Sequence, residues 1–410
     1  MVLFTKRNKK TDNIIKKSKI NKEHNMQHKL PKGYDGAFKI LGKDVEVVTN
    51  LNHNSNTLVI GAPGSGKNYC YIDPNLKYAN KDSNFLIHGI KIDVDHVKEL
   101  LPGYDVIELN SDKHPIDYFK LITNEEEAAE FVEALCKVNQ VRNRREGQRD
   151  EFFEQLEMKV MTNEVMRAVK KGSCSYDEVT DNLRELQEIC DAHLELKNRD
   201  EALALEFFYQ NKERLYINAP KMLMNTLITC KMLLEDLMSD NETNITEIID
   251  KLRTQDNIAV VVTRSLECDL YSILFMNFFI KQYRKQYFAN ESDTRIVKVI
   301  LDEASMCYID TGLCVLARTC GMSIDYLIQC ISQLKEMYPQ SWYELIETLI
   351  KTVQTVICLG TRNFETIRFI NEIAELPKGF NIQTMSLEQE LIYDPTISNK
   401  WIVAKKATTK

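Results

Sequence analysis

Gly61-Ala62-Pro63-Gly64-Ser65-Gly66-Lys67-Asn68 has the composition and spacing of a loop built to hold phosphate. The residues before it, Thr57-Leu58-Val59-Ile60, are apolar and largely β-branched, so the loop leaves a strand. Gly61 opens the turn, Gly64 and Gly66 let backbone N–H groups face inward, and Lys67 sets an ammonium between two phosphates. Ala62, Pro63 and Ser65 fill the remaining positions, and a helix starting at Lys67 adds its positive N-terminal end. With only 14 glycines in 410 residues, a chance match to this spacing is an event of order a few per cent. The expected ligand is ATP with Mg²⁺. One position departs from the pattern: Asn68 stands where a Ser or Thr hydroxyl normally meets the magnesium, and its amide oxygen is neutral and one bond further out.

Three more features could work on a bound triphosphate. Val297-Lys298-Val299-Ile300-Leu301 ends in Asp302-Glu303, placing Asp302, with Asn68, at the metal and Glu303 at the attacking water. Adjacent carboxylates after a strand also serve as helix caps; the upstream loop favours the catalytic reading. Gln329 closes the apolar run Ile324–Ile328, where an amide could touch the γ-phosphate or the water, or simply cap the next turn. Arg318, expected on a helix along the domain edge, is a candidate to reach a neighbour's γ-phosphate in a ring, against the common alternative of a surface arginine.

The elements that must position these residues alternate strand and helix. Strands are expected at Thr57–Ile60, Asn84–His88, Asp105–Leu109, Asn257–Thr263, Val297–Asp302, Ser323–Gln329 and Thr355–Gly360, the pattern of a parallel sheet with crossover helices. From Thr123 to about Arg253 the strand signal stops, and Thr123-Asn124-Glu125-Glu126 reads as a capping-box start. The fold class is therefore α/β: a P-loop NTPase with a mostly parallel sheet flanked by helices, plus an inserted all-α domain. The domains are a disordered basic tail at 1–32, a nucleotide-binding domain at 33–121 and 255–410, and the insertion at 122–254.

Composition sets outer limits. The chain is 44% apolar and 28% charged with a formal net charge of −7, which suits a globular protein and argues against a uniformly basic nucleic-acid coat. Eleven scattered cysteines without a C-x-x-C pair point to free thiols in a reducing cytosol. Leu270–Ile280 is too short to cross a bilayer, so no transmembrane helix is expected. The lysine-rich start suits contact with anionic lipid or nucleic acid, or none. Tyr69, Tyr71 and Tyr78 suit packing better than base stacking, His88, His96 and His114 lack metal-ligand spacing, and Cys307, Cys314, Cys320 and Cys330 suit small buried positions.

Several of these segments resemble one family. The loop with Asp73-Pro74-Asn75-Leu76, then Leu301-Asp302-Glu303-Ala304, then Gln329-Cys330-Ile331-Ser332-Gln333-Leu334, is similar in order and spacing to the TraG/TraD coupling proteins of conjugative type IV secretion. These are RecA-like motor ATPases akin to FtsK and HerA. The resemblance covers most of the chain after about Asn50, including the helical insertion. Asp150-Glu151-Phe152-Phe153-Glu154 resembles the start of the family's long helix, and the tail from Met385 to Trp401-Ile402-Val403 resembles its final strand. It implies a RecA-like fold and a homohexameric, ATP-driven pump linking single-stranded DNA, with a relaxase bound, to a type IV secretion channel. It implies Lys67 on the β/γ-phosphates, Asp302 and Glu303 at metal and water, Gln329 as γ-phosphate sensor, and Arg318 within an arginine pair. Location would be cytoplasmic, at the inner face of the membrane. The departures are Asn68, Cys320 at the second arginine, and Gly89-Ile90-Lys91-Ile92-Asp93 in place of Asp-Pro-Lys-Gly-Glu; the family's amino-terminal membrane helices give way to the basic tail. Two functions stay open, an active DNA-translocating motor and a weakly hydrolysing adaptor of the same machinery. A small-molecule P-loop kinase is disfavoured by the large helical insertion.

Overall fold

Unbroken Val, Ile and Leu runs suit strands covered on both faces, and the sheet is assembled from them. The computed structural model describes residues 39–43, 45–47, 56–79, 83–90, 92–143, 151–172, 174–239, 243–265, 270–289, 295–307, 315, 317–337 and 342–408. The expected basic tail at 1–32 lies outside these residues, as do Lys91 and Cys314. The strands are β1 Lys39–Gly42, β2 Val45–Val47, β3 Thr57–Gly61, β4 Ser83–Ile90, β5 Asp105–Asn110, β6 Ile258–Arg264, β7 Ile296–Leu301, β8 Met322–Ile328, β9 Thr355–Gly360, β10 Gln389–Tyr393 and β11 Ile402–Lys405.

Nine of them form one sheet in the order β11-β10-β9-β3-β8-β7-β4-β6-β5, while β1 and β2 pair separately. The pairs β3–β8, β3–β9, β4–β7 and β7–β8 are parallel. β10 and β11 form an antiparallel hairpin on β9. The α/β class and the mostly parallel sheet are as the sequence implies. Its seven strands appear with ends moved by at most two residues, Thr355–Gly360 unchanged, and Asp302 and Gln329 fall just past β7 and β8. β1, β2, β10 and β11 have no counterpart among those seven, although β10 and the start of β11 fall in the tail, Met385 to Val403, that resembles a final strand. β1 and β2 are short, and Glu390 interrupts the apolar character of β10 while being buried.

Val59, Ile87, Val261, Ile300, Leu327 and Ile357 share one core, each from a different strand. At about 25 cal/mol per Å² of apolar surface removed from water, this burial is the main force holding the strand ends in place. Contact density divides the chain into two compact units. One takes the residues through Leu109 with Thr246–Thr263 and Tyr283 onward; the other takes Asn110–Ile245 and Arg264–Gln282. Between 123 and 254 the described residues form helices and turns, with helices at Glu125–Asn143, Glu151–Lys170, Tyr176–Arg199, Glu201–Gln210, Pro220–Glu235 and Ile245–Thr254.

The first of these helices begins on reciprocal caps. Asn124 Oδ1 accepts from Glu127 N–H at 2.9 Å, and the Glu127 carboxylate accepts from Thr123 N–H at 2.7 Å. The closing acid is thus Glu127, one residue beyond the expected Glu126, because Asn124 rather than Thr123 takes the capping position. No helix among the described residues is long and apolar enough to cross a membrane.

Candidate nucleotide-binding site

Strand order brings the chemistry together. β8 lies between β3 and β7, so the loop after β3, the carboxylates after β7 and the glutamine after β8 open on the same carboxyl edge of three adjacent parallel strands. Crevices at such edges are where open α/β sheets bind ligands.

The loop has the backbone its glycines require. Gly64 and Gly66 have φ of +75° and +88°, which side-chain-bearing residues rarely adopt. At Gly61 a Cβ would fall on Ser65 Oγ and 3.1 Å from Lys67 Cγ, so the tight turn depends on glycine there. Ala62 N–H donates to Gly360 O at 3.2 Å, and Ser65 N–H to Ala62 O at 2.9 Å. Lys67, largely buried, donates to Gly61 O at 2.9 Å, with its Nζ 3.8 Å from Glu303 Oε1. The segment after Lys67 differs from the simple helix expected. Asn68–Ile72 forms a π turn before the α-helix Asp73–Tyr78, a distortion common at functional sites. Asn68 is exposed at the start of that turn.

On the facing side, Glu303 holds a left-handed backbone, φ 54° and ψ 47°. A non-glycine residue there stores strain that the surrounding contacts must offset. Those contacts are present: Glu303 N–H donates to Asp302 Oδ1 at 3.1 Å, and Asp302 N–H to His88 O at 2.8 Å. Gln329 Nε2 donates to both Glu303 oxygens, at 2.9 and 3.0 Å. Gln333 Oε1 in turn accepts from Gln329 N–H at 3.2 Å and from Ser305 Oγ at 3.1 Å. Asp302 is buried, and a Cβ at Gly89 would approach its Cβ to 3.0 Å, so the bare backbone at the end of β4 gives the acid its room.

The structure therefore joins Lys67, Glu303 and Gln329 in one contact network, with Asp302 beside Glu303. Arg318 sits in the short 3₁₀ turn Ala317–Cys320, not on the expected edge helix, and its side chain lies outside the described residues. Cys320 is buried, and burial raises its thiol pKa, opposed by Thr319 and by Arg284. Tyr71 is buried as packing while Tyr69 is half-buried; Cys307 is buried and Cys330 half-buried. Asp93 caps the helix Val94–Leu100 through Asp95 and His96 N–H. His96 Nε2 lies 3.2 Å from Asp73 Oδ2, and burial raises the Asp73 pKa with His96 opposing it. No group of three or more His, Cys, Asp and Glu suited to a metal occurs among the described residues. That is compatible with Mg²⁺, which is usually bound by one or two carboxylates, water and substrate phosphates. Gln333, which enters the sequence reading only within the segment that resembles the family, has no role assigned to it there, and Lys406 leaves no signal in the sequence.

The fold and loop define a RecA-like P-loop NTPase architecture. No family model matches the sequence, and no curated protein matches it. Among solved structures, the chain is similar to the bacterial conjugative coupling protein TrwBdeltaN70, with TM-score 0.61 and 13% identity over 91% of this chain and 90% of that one. Plasmid coupling protein TrwB in complex with ADP and Mg²⁺ gives TM-score 0.61 and 15% identity over the same shares. VirB4 of Thermoanaerobacter pseudethanolicus gives 0.55 and 12%, over 91% and 97%. At such identities the likeness establishes the fold.

Proposed function

We propose that the protein is an ATPase of a conjugative type IV secretion apparatus, a coupling protein that moves DNA toward the secretion channel. The observation that carries the ATPase part is the network in which Gln329 holds both Glu303 oxygens 3.8 Å from the loop lysine. The cradle of Gly64 and Gly66 suits phosphate oxygens, and Lys67 exchanges its present acceptors for the β- and γ-phosphates. Glu303, aimed by Gln329, takes the proton of the attacking water as the γ-phosphate leaves ADP. Mg²⁺, which would neutralise phosphate charge, would be held by Asp302 through water and by the Asn68 amide oxygen. The fold likeness to coupling proteins supports the DNA-transfer part. On this reading the chain works as a homohexamer, receives a single strand with its relaxase, and gathers at the inner membrane face with its basic tail toward anionic lipid. Segment 122–254 is the inserted domain that selects cargo, and Arg318 serves a neighbour's site.

Asn68 favours a second reading, an adaptor that binds ATP and hydrolyses it weakly, because it lacks the hydroxyl that ordinarily binds the metal. ATP turnover with and without single-stranded DNA separates the two, comparing wild type with Lys67→Ala and Asn68→Thr. A motor shows DNA-stimulated turnover that Lys67→Ala removes. An adaptor binds ATP without turnover, and rescue by Asn68→Thr would identify the missing hydroxyl as the cause.

A further inference from the structure

The phosphate-binding loop is tied down by a residue 341 positions further along the chain. Lys406, just past β11, is buried, and its Nζ donates to Ser65 O at 2.9 Å. The backbone carrying it is itself fixed. Lys406 N–H donates to Glu388 O at 2.9 Å, Lys43 N–H donates to Lys405 O at 2.8 Å, and Ala407 packs with Ile40 and Ala79. Burial lowers the Lys406 pKa, while Cys70, Glu390 and Cys358 favour its charged form. Glu390 is also buried, and its Oε1 makes no hydrogen bond among the described residues.

The bond matters because of where Ser65 O sits. Three successive peptides cross the loop between Gly64 and Lys67. The first is held by Ser65 N–H on Ala62 O, and the third by Cys70 N–H on Gly66 O at 2.7 Å. The middle peptide, Ser65–Gly66, is held through Ser65 O by Lys406. Among the described residues Ser65's own hydroxyl makes no hydrogen bond, so it adds no second clamp there. With Gly66 on its carboxyl side, rotation of that peptide meets less steric resistance than it would between two side-chain-bearing residues. A trans peptide points its C=O and N–H in opposite directions. Holding Ser65 O toward Lys406 therefore turns Gly66 N–H the other way.

We infer that Lys406 is a positioning residue for nucleotide binding, which aims the Gly66 N–H at a phosphate by holding the reverse side of the same peptide. This rests on the nucleotide-binding reading of the loop. Loop N–H groups of this kind cradle phosphates shared by ADP and ATP, so losing the clamp weakens both alike, by about tenfold for one charge-assisted hydrogen bond.

The test is the Kd of the full chain for ADP and for ATP, with melting temperature measured without nucleotide. Wild type is compared with Lys406→Met, Lys406→Gln and Lys406→Arg. Methionine keeps the length without the donor, glutamine keeps polarity but falls short of Ser65, and arginine keeps the donor. The expected result is an equal loss for both nucleotides with Lys406→Met, recovery with Lys406→Arg, and melting temperatures near wild type. If Lys406→Met does not fold, Lys406→Gln carries the same expectation. Unchanged affinities in the folded loss variants would overturn the inference. So would a loss larger for ATP than ADP that shrinks at high salt, since that marks general charge attraction. Wild type that binds neither nucleotide would instead remove the nucleotide reading itself.

Discussion

Two lysine–carboxylate pairs lie at opposite edges of the same sheet, and they are built differently. At the amino edge Lys39 is buried against Asp325 and also donates to Thr57 Oγ1 and Ser323 Oγ, both at 3.0 Å. All three ammonium donors have acceptors, and burial lowers the Lys39 pKa against the opposing pull of Asp325. At the carboxyl edge Lys67 has, among the described residues, one hydrogen bond, to a loop carbonyl, and stands off from Glu303 at 3.8 Å. The first pair is saturated and serves the fold. The second keeps donors in reserve beside a strained acid, as a site that must exchange partners requires.

The contrast between the pairs is tested most severely at the amino edge. Lys39→Met leaves the Asp325 carboxylate buried without its cation and should destabilise the protein by about 3–5 kcal/mol. Denaturant unfolding measures this, and a loss under about 1 kcal/mol would mean that the pair is not structural. Lys67→Ala should do the reverse, cutting ATP turnover by about 10²–10³-fold while its unfolding midpoint stays near that of wild type. A variant that unfolds yet keeps its turnover per folded molecule would undo the contrast.

Gln329→Leu frees Glu303 from its amide and should lower turnover by roughly tenfold or more with ATP affinity retained, the mark of an interaction made in the transition state. Loss of affinity instead would place Gln329 in binding. The smallest effect concerns Lys298, buried at the amino edge beneath Phe85 and donating to Ala79 O. Burial, with Lys39 adding to it and Asp325 opposing it, lowers its pKa from 10.5 to about 7. Between those values the unfolded chain binds the proton that the folded chain has released, so this lysine makes stability rise with pH, by about 1 kcal/mol per unit near pH 8. Below about 7 both states bind it and the contribution levels off. Lys298→Met should remove that slope, which parallel unfolding curves at pH 7.5 and 8.5 would reveal; an unchanged slope would show that Lys298 stays charged.

Much of the site was legible in the residues because its demands are local. Gly64 and Gly66 announce positive φ, and Lys67 after Gly66 announces phosphate. Six of the seven anticipated strands are almost wholly buried and were legible as apolar runs; β5, mostly exposed or half-buried, was legible only from its short Val-Ile core. Glu390 in β10 hid a strand by the same rule, since a buried carboxyl breaks the apolar pattern. The π turn at Asn68–Ile72 left no mark, because an i to i+5 turn uses the residues that an α-helix does.

By itself, the sequence determined which chemistry could be assembled: a phosphate loop, an acidic strand end and a strand-terminal amide, each set by residues within one short segment. Only the tertiary structure decided that they meet. Strand order, chosen by long-range packing and not by any local signal, put β8 between β3 and β7 and so set Gln329 on Glu303. The same packing brought Lys406 to Ser65, a contact no spacing rule could announce, because it depends on where the last strand of the sheet ends.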